Sequence, residues 1–223
     1  MAKLSDSLKA SLALKAETYS SQLLGDEPIS RAGRDYLDAR LLGRGIASKY
    51  KLGVVAEPLA GDEPFSGRLV IPYMTLAGIR AVKYRCIEDH RCKDEGHPKY
   101  SQPHGQEQRL YNALAYFGGH DTVGFCEGEL DAITASEHLE IPTLAVPGAS
   151  QWDKMGRYWS LLLRDFATVV VFADGDVPGK ELASKIANDA GPGVRVVHCD
   201  EGEDINSMVV AGKGDLLIKK AGL

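Results

Sequence analysis

The chain has 223 residues, of which 44% are hydrophobic and 26% are charged, and its formal net charge is -5. This composition is typical of a globular protein, and no apolar run approaches the roughly 20 residues that a membrane-spanning helix needs. The opening residues have no signal-peptide pattern and the four cysteines no disulfide-framework spacing, so we expect an intracellular protein with reduced thiols.

The net charge hides a difference between two halves of the chain. Residues 1–120 contain 17 Lys and Arg against 14 Asp and Glu, whereas residues 121–223 contain 9 against 17. A basic region joined to an acidic one suits a protein that binds polyanions, because these respond to local positive potential and not to net charge. For any single Lys or Arg, solvated surface charge is an equally good interpretation.

The first half predicts helices followed by a β-hairpin. Apolar residues recur at four-residue spacing over residues 3–24, which predicts an amphipathic helix that ends near Gly25. The further predicted elements, in chain order, are a helix over 29–42, a loop over 53–66, hairpin strands over 68–73 and 79–87, and a polar, mobile loop over 88–105.

After Gly118-Gly119 the pattern changes to alternating strands and helices. The predicted strands are 122–126, 143–146, 168–173 and 194–199, and the predicted helices are 128–138, 152–164 and 178–189, with short helices to the end. This alternation predicts an α/β fold with a doubly wound, mainly parallel sheet and flanking helices. We therefore expect two domains, an α+β domain over 1–119 and an α/β domain over 120–223.

Carboxylates follow two of the predicted parallel strands. Glu127 comes directly after the first strand, and Asp174 and Asp176 follow the third. Open α/β sheets hold ligands at the carboxyl ends of their strands, and converging carboxylates repel one another unless a cation neutralises them. The sequence therefore predicts a site for Mg²⁺ or Mn²⁺, which prefer oxygen ligands. A turn with solvated acids is the alternative interpretation.

This arrangement resembles the TOPRIM domain over about residues 120–210, and its companion motifs resemble those of bacterial and phage DnaG-type primases. The companions in the second half are Glu127-Gly128-x-x-Asp131, Val146-Pro147-Gly148, Asp174-Gly175-Asp176-x-Pro178-Gly179 and Glu203-Asp204. Those in the first half, in the family's order, are Tyr36 to Arg40, Arg68 to Tyr73, Lys83-Tyr84-Arg85, Pro98 to Ser101 and Arg109-Leu110-Tyr111. The first domain then corresponds to the basic subdomain of a primase catalytic core.

The resemblance implies a nucleotidyltransferase of the primosome, a DNA-directed RNA polymerase that makes short RNA primers on single-stranded DNA. Its substrates are nucleoside triphosphates and its cofactors two Mg²⁺ or Mn²⁺ ions. The implied catalytic residues and metal ligands are Glu127, Asp174 and Asp176. Whether Glu127 acts as a base or orients the metal-bound hydroxyl stays open.

Two further acids are implied as metal ligands, Asp131 and Asp204. Asp131 is equally well explained as an acid that the helix macrodipole favours. Where the family has a late Asp-Pro-Asp, this chain has Asp204-Ile205-Asn206, which puts the affinity for a second ion in doubt.

The same resemblance implies a set of basic residues that contact template or nucleotide phosphates. They are Arg68, Lys83, Arg85, Lys99 and Arg109. Arg109 is the basic residue nearest to a family lysine, in a register that the sequence leaves open. Arg provides a planar fork and Lys a point charge for such contacts. Tyr100 either stacks on a base or packs within the protein.

Zinc is not expected. Cys86, His90, Cys92 and His97 match the spacing of no common structural zinc site, so a flexible loop with chance ligands is the preferred interpretation. The Cys/His pairs of the family's amino-terminal zinc module are also missing, so the resemblance implies a zinc module supplied in trans, together with a replicative helicase, in the cytoplasm of a bacterial host.

Two alternative functions stay open. A TOPRIM nuclease uses a similar metal cluster to cut DNA, and a non-catalytic TOPRIM protein binds nucleic acid or mediates recombination. The complete set of Glu127, Asp174 and Asp176 argues against the non-catalytic alternative. No membrane partner is expected.

Overall fold

The structure is a computed structural model that describes residues 4–223. The chain divides into two compact units, of which the first ends at Glu107 and the second comprises Gln108–Leu223. Within the described residues, no helix has the combination of length and apolarity that crossing a bilayer requires.

Three helices open the first unit: α1 (Asp6–Leu23), α2 (Pro28–Asp38) and α3 (Arg44–Lys49). The Ser5 side chain accepts a hydrogen bond from the Leu8 amide and so caps α1; residue 3, where this helix was predicted to begin, lies outside the described residues. The helix predicted over 29–42 is wrong in its last turn. Leu41 has a φ of 58°, in the left-handed region that ends a helix, and α3 follows separately.

An antiparallel sheet completes the first unit, in the order β1 (Gly53–Val54), β2 (Leu69–Thr75), β3 (Gly78–Arg85), β4 (Tyr100–Ser101). The predicted hairpin is confirmed as β2 and β3. α1 packs on this sheet, because its apolar stripe covers the inward residues of the strands. The buried contacts include Leu12, Ala16, Tyr19, Val70, Val82 and Tyr84.

The second unit is built on four parallel strands, in the order β6 (Thr143–Ala145), β5 (Thr122–Cys126), β7 (Thr168–Ala173), β8 (Val194–His198). The four predicted strands are confirmed, with ends within one residue. The helices are α4 (Glu129–His138), α5 (Trp152–Leu163), α6 (Val177–Ala190), α7 (Ile205–Val210) and α8 (Gly214–Ala221).

Helices cover both faces of this parallel sheet. α5 and α6 pack on one face through a core that includes Phe125, Val171, Trp152, Trp159 and Ile186. α4 packs beside β5 and β6 and contacts α7, and α8 contacts β8. The predicted α/β fold with a doubly wound, mainly parallel sheet and flanking helices is therefore confirmed.

The second unit begins earlier than the predicted domain boundary at residue 120. Tyr111 is buried and forms an antiparallel bridge with Ala145, in which the Tyr111 amide donates to the Ala145 carbonyl at 2.9 Å. A 3-10 helix over Ala113–Phe117 follows. Residues 108–119 thus pack on the edge strand β6, and Gly118-Gly119 follows this short helix.

Candidate metal centre and nucleic-acid interface

The five predicted acids lie at the carboxyl edge of the parallel sheet. Glu127 directly follows β5 and Asp174 directly follows β7, and these two strands are neighbours. Asp131 lies in the first turn of α4, and Asp176 and Asp204 are the N-cap residues of α6 and α7. The charges of the other four acids all act on the Asp174 carboxyl group, so these four side chains lie around Asp174.

Asp174 has a strongly raised pKa. Burial, followed by the charges of Asp131, Glu127, Asp204 and Asp176, raises the pKa of Asp174 to about 8. Its Oδ1 atom is buried and has no hydrogen-bond partner within the described residues. A buried carboxylate oxygen without a donor is costly, and a bound cation is one of the few groups that remove this cost.

Two of the acids cap helices. Asp176 Oδ1 accepts a hydrogen bond from the Gly179 amide at 2.8 Å, and Asp204 Oδ1 accepts one from the Ser207 amide at 2.7 Å. The Ser207 hydroxyl in turn accepts from the Asp204 amide at 2.9 Å, which completes a capping box. The caps fix how both carboxylates are oriented and engage only one oxygen of each.

Glu127 is positioned by the loop that follows β6. Its Oε1 atom accepts a hydrogen bond from the Ala149 amide at 3.2 Å. The preceding residue, Gly148, has a φ of 129°, which a residue with a Cβ rarely adopts. The Val146-Pro147-Gly148 motif therefore helps to place Glu127, a role that the sequence does not indicate.

The Asp131 side chain lies in the protein interior, between α4 and α7. It is buried and Oδ1 accepts a hydrogen bond from the Asn206 amide at 3.0 Å. Its Oδ2 lies against Gly128, where an added Cβ would meet this oxygen at 2.3 Å. These contacts tie the first turn of α4 to the start of α7.

Gly175 separates the two aspartates for a reason that differs from the predicted one. The sequence indicates a tight turn, but Gly175 has no positive φ. Instead, its backbone packs so closely on the next loop that a Cβ would meet the Asp200 carbonyl oxygen at 1.8 Å. The Gly175 amide also donates to the Glu203 carbonyl at 2.8 Å.

The acids form an open cluster. Within the described residues, no three of these carboxylates bring their oxygens within 4.8 Å of one another. Carboxylates a few ångströms apart repel one another. The helix caps also hold the Asp176 and Asp204 side chains at the starts of their own helices. The cluster therefore offers oxygens around one edge and is not a closed cage.

Three of the predicted basic residues lie together in the first unit. Lys83 and Arg85 alternate along β3, and Arg85 pairs across the sheet with Tyr100. Lys83 Nζ lies 4.4 Å and the Arg85 guanidinium 5.0 Å from the centre of the Tyr100 ring, and Arg85 also donates to the Tyr100 hydroxyl. Cation–π contacts of this kind hold the charged groups in place.

Arg85 borders a groove of about 620 Å³, whereas Lys83 is buried. Arg85 and Lys99 line it, with Tyr36 and Arg40 from α2 and the segment that follows it. Arg40 lies 3.6 Å from the centre of the Tyr36 ring. Arg40 is not among the predicted contact residues, although it stands in the Tyr36 to Arg40 motif.

Arg68 and Arg109 are placed differently. Arg68 Nη1 donates to the Pro98 carbonyl at 3.0 Å, so this side chain ties β2 to the segment before β4. Arg109 belongs to the second unit. The structure thus gathers three of the five predicted basic residues.

Comparison with known proteins identifies relatives of both units. Residues 125–209 match a family model described as Toprim-like. The gene 57 protein of Mycobacterium phage D29 is 37% identical over 161 residues, which are 70% of this chain and 99% of that protein.

Two solved structures are similar over nearly the whole chain. A DNA primase domain from Pseudomonas aeruginosa is 23% identical with a TM-score of 0.74, covering 96% of this chain and 78% of that one. A DnaG primase catalytic domain bound to single-stranded DNA is 17% identical with a TM-score of 0.72, covering 96% of this chain and 80% of that one. At these identities the likeness shows a shared fold.

Proposed function

We propose that this chain is a DNA primase. The premise is that the chain belongs to the family of the phage D29 gene 57 protein and is a DnaG-type TOPRIM primase core. In this proposal the protein is a nucleotidyltransferase that makes short RNA primers on a single-stranded DNA template from nucleoside triphosphates. Its cofactor is Mg²⁺ or Mn²⁺, as two ions.

The observation that carries this proposal is the environment of Asp174. Its buried Oδ1 has no donor within the described residues, and burial together with four further acids raises its pKa to about 8. A set of oxygen donors with excess negative charge suits a hard divalent cation. Held by these carboxylates, such a cation would supply charge neutralisation for the triphosphate and activation of the primer hydroxyl.

Each acid has a proposed role. Asp174 and Asp176 would hold the first ion and Asp204 would contribute to the second, since each cap occupies one carboxylate oxygen of Asp176 and Asp204. Glu127, held by the Ala149 amide, acts beside them as base or as orienter of the attacking hydroxyl. Asp131 is a positioning residue that fixes α4 against α7 and adds charge to the cluster.

The basic residues are proposed to bind phosphates of the template and the incoming nucleotide. Lys83, Arg85 and Lys99 carry this role in the first unit, with Arg40 as an additional groove residue. Arg68 positions the segment before β4. Arg109 contributes from the second unit.

A replicative helicase and a zinc module supplied in trans are proposed as partners, and the protein is proposed to act inside a phage-infected bacterial cell. Addition of host helicase to the assay below tests the partner directly.

The function is tested by primer synthesis with labelled nucleoside triphosphates, varied single-stranded templates and Mg²⁺ or Mn²⁺. Labelled oligoribonucleotides are expected from the wild type and not from Asp174→Ala or Asp176→Ala, while DNA binding is retained. Asp215→Asn, which changes an exposed acid of α8, is the matched control and should keep full activity.

The same reactions separate the alternatives. Degradation of DNA in the absence of nucleotides would identify a nuclease that uses the same acids. DNA binding that persists in chelator, with no product of any kind in the presence of helicase, would identify a non-catalytic nucleic-acid-binding protein. Either outcome contradicts the primase proposal.

A further inference from the structure

Four potential metal ligands converge in the loop between β3 and β4. The loop comprises residues 86–99, and it brings one ligand atom each from Cys86, His90, Cys92 and His97 within 4.8 Å of one another. This is the one such group of Cys, His, Asp and Glu within residues 4–223. The sequence favoured a flexible loop with chance ligands, whereas the structure brings the four ligand atoms together.

We propose that these four side chains bind a structural Zn²⁺ ion. Two thiolates and two imidazoles are the ligand set that Zn²⁺ favours, whereas Mg²⁺ and Ca²⁺ prefer oxygen. Four protein ligands fill a tetrahedral shell and leave no open position, as in structural rather than catalytic sites. The proposal concerns a site separate from the acidic cluster and does not depend on the proposed function.

The distances suit a tetrahedral ion. Cys86 Sγ and His90 Nε2 are 3.6 Å apart, and the edge between a sulfur and a nitrogen ligand of a tetrahedral zinc site is about 3.6 Å, given its bond lengths. The His90 and His97 rings meet edge to face with centres 4.9 Å apart. Two imidazoles on one ion approach each other in this way.

The second nitrogen of each imidazole has a partner of its own. His90 Nδ1 lies 3.3 Å from Glu88 Oε2, so a carboxylate can orient the ring while Nε2 faces Cys86. His97 Nδ1 lies 3.3 Å from the Pro98 carbonyl oxygen, and when Nδ1 donates its hydrogen to that oxygen, Nε2 is left for a cation. Carboxylate or carbonyl partners of this kind are typical of zinc-bound histidines.

Residues 86–99 form no hydrophobic core of their own. None of residues 86–99 is buried; the loop is closed at its base by the hydrogen bond from the Cys86 amide to the Lys99 carbonyl at 2.9 Å. Inside it, the His97 amide donates to the Cys92 carbonyl at 3.0 Å. A loop that buries no apolar side chain gains little from packing, so a metal ion is the group that would hold it together.

A bound ion would fix the loop that forms one wall of the basic groove. The loop lines the basic groove, and its two ends carry Arg85 and Lys99. With Cys86 and His97 on one ion, the positions of these two basic residues are set by the metal. Loss of the ion is expected to release the loop and, with it, this wall of the groove.

The test begins with the metal content of the full chain, purified without chelator from zinc-supplemented cells. About one zinc per chain is expected by elemental mass spectrometry, with loss of that zinc in the double variant Cys86→Ser, Cys92→Ser. His104→Ala, an exposed histidine outside the group, is the matched control and should keep its zinc. Glu88→Gln should weaken zinc affinity about tenfold while the ion still binds.

Two measurements on the wild type keep the proposal testable if the double variant does not fold. Cobalt added to zinc-free protein should give the visible bands of a tetrahedral ion and a thiolate charge-transfer band. Chelation should speed tryptic cleavage at Arg91 and Lys93, which are exposed in the loop. Protein without zinc, zinc content unchanged in the double variant, or a Cys86–Cys92 disulfide in freshly isolated protein would overturn the proposal.

Discussion

Asn206 donates a hydrogen bond from its side-chain amide to the hydroxyl oxygen of Thr134 at 2.8 Å, and both residues are buried. The Thr134 hydroxyl uses its own hydrogen to bond the Leu130 carbonyl at 2.8 Å, so it can only accept from residue 206. An aspartate there, as in the family's Asp-Pro-Asp, would bring two acceptors together. Asn206, which stands where the family pattern has its second aspartate, thus supplies the donor that links α7 to α4.

The first prediction follows from this pair. Asn206→Asp should lower the free energy of unfolding by about 1–3 kcal/mol, because a buried acceptor loses its donor and a further charge joins the cluster near Asp131. Urea denaturation at neutral pH measures this. The loss should shrink in acid, where the introduced carboxyl group is protonated and can donate to Thr134. Equal stability of variant and wild type at neutral pH would contradict the account.

A second prediction concerns the pH dependence of stability without divalent cations. Because the folded-state pKa of Asp174 is raised from 3.8 to about 8, the folded protein holds this proton more tightly than the unfolded chain. The contribution of Asp174 to stability is therefore full below about pH 4 and is lost as pH rises through 8.

Asp174→Asn removes this titration. In chelator, the variant should be more stable than the wild type at pH 8, on the order of a few kcal/mol, and the difference should vanish toward pH 4. Thermal and urea unfolding across this range provide the measurement, with Asp215→Asn as the control that leaves the profile unchanged. A wild-type profile that is flat between pH 4 and 8 would show that Asp174 is not perturbed.

The sequence predicts the second unit well because its signals are local. β5 (Thr122–Cys126) and β7 (Thr168–Ala173) coincide with the predicted strands, since each is a short run of apolar and β-branched residues. Acids placed directly after such strands must lie at the carboxyl edge of a parallel sheet. The shared edge of Glu127 and Asp174 was therefore predictable.

Other features depend on contacts between distant parts of the chain. The donor role of Asn206 requires Thr134, and the bond from Arg68 to Pro98 requires the loop before β4. The convergence of Cys86 with His97 follows from how the loop closes, which no spacing rule describes. Such pairings are set by packing, so the sequence alone did not indicate them.

A third prediction uses the close approach of Gly175 to Asp200. Gly175→Ala should destabilise the protein by about 1–3 kcal/mol or more, because its Cβ would meet a backbone oxygen at 1.8 Å and one of the two loops must move. Gly45→Ala in α3 is the matched control, since a Cβ there meets nothing within 4 Å and alanine favours a helix.

Loss of primer synthesis in Gly175→Ala under conditions where the variant remains folded would show that the displacement reaches Asp174 and Asp176. Circular dichroism and urea denaturation establish the folded range before activity is measured. Gly175→Ala and Gly45→Ala with the same midpoint of unfolding would rule out the steric explanation.

The last prediction tests the basic groove through the salt dependence of DNA binding. Arg85→Ala should weaken binding of single-stranded DNA and reduce the slope of log K against log salt by about 1, as expected for one lost phosphate contact. Arg80→Ala, five residues earlier on the same strand β3 and outside the set of residues that line the groove, is the matched control.

Binding of a labelled oligonucleotide by fluorescence anisotropy over a series of salt concentrations measures both quantities. Arg85→Lys should keep most of the slope, because the charge is retained, yet bind less tightly, because the guanidinium contacts with the Tyr100 ring and hydroxyl are lost. If Arg85→Ala and Arg80→Ala change the slope equally, the effect comes from net charge alone and Arg85 has no specific phosphate contact.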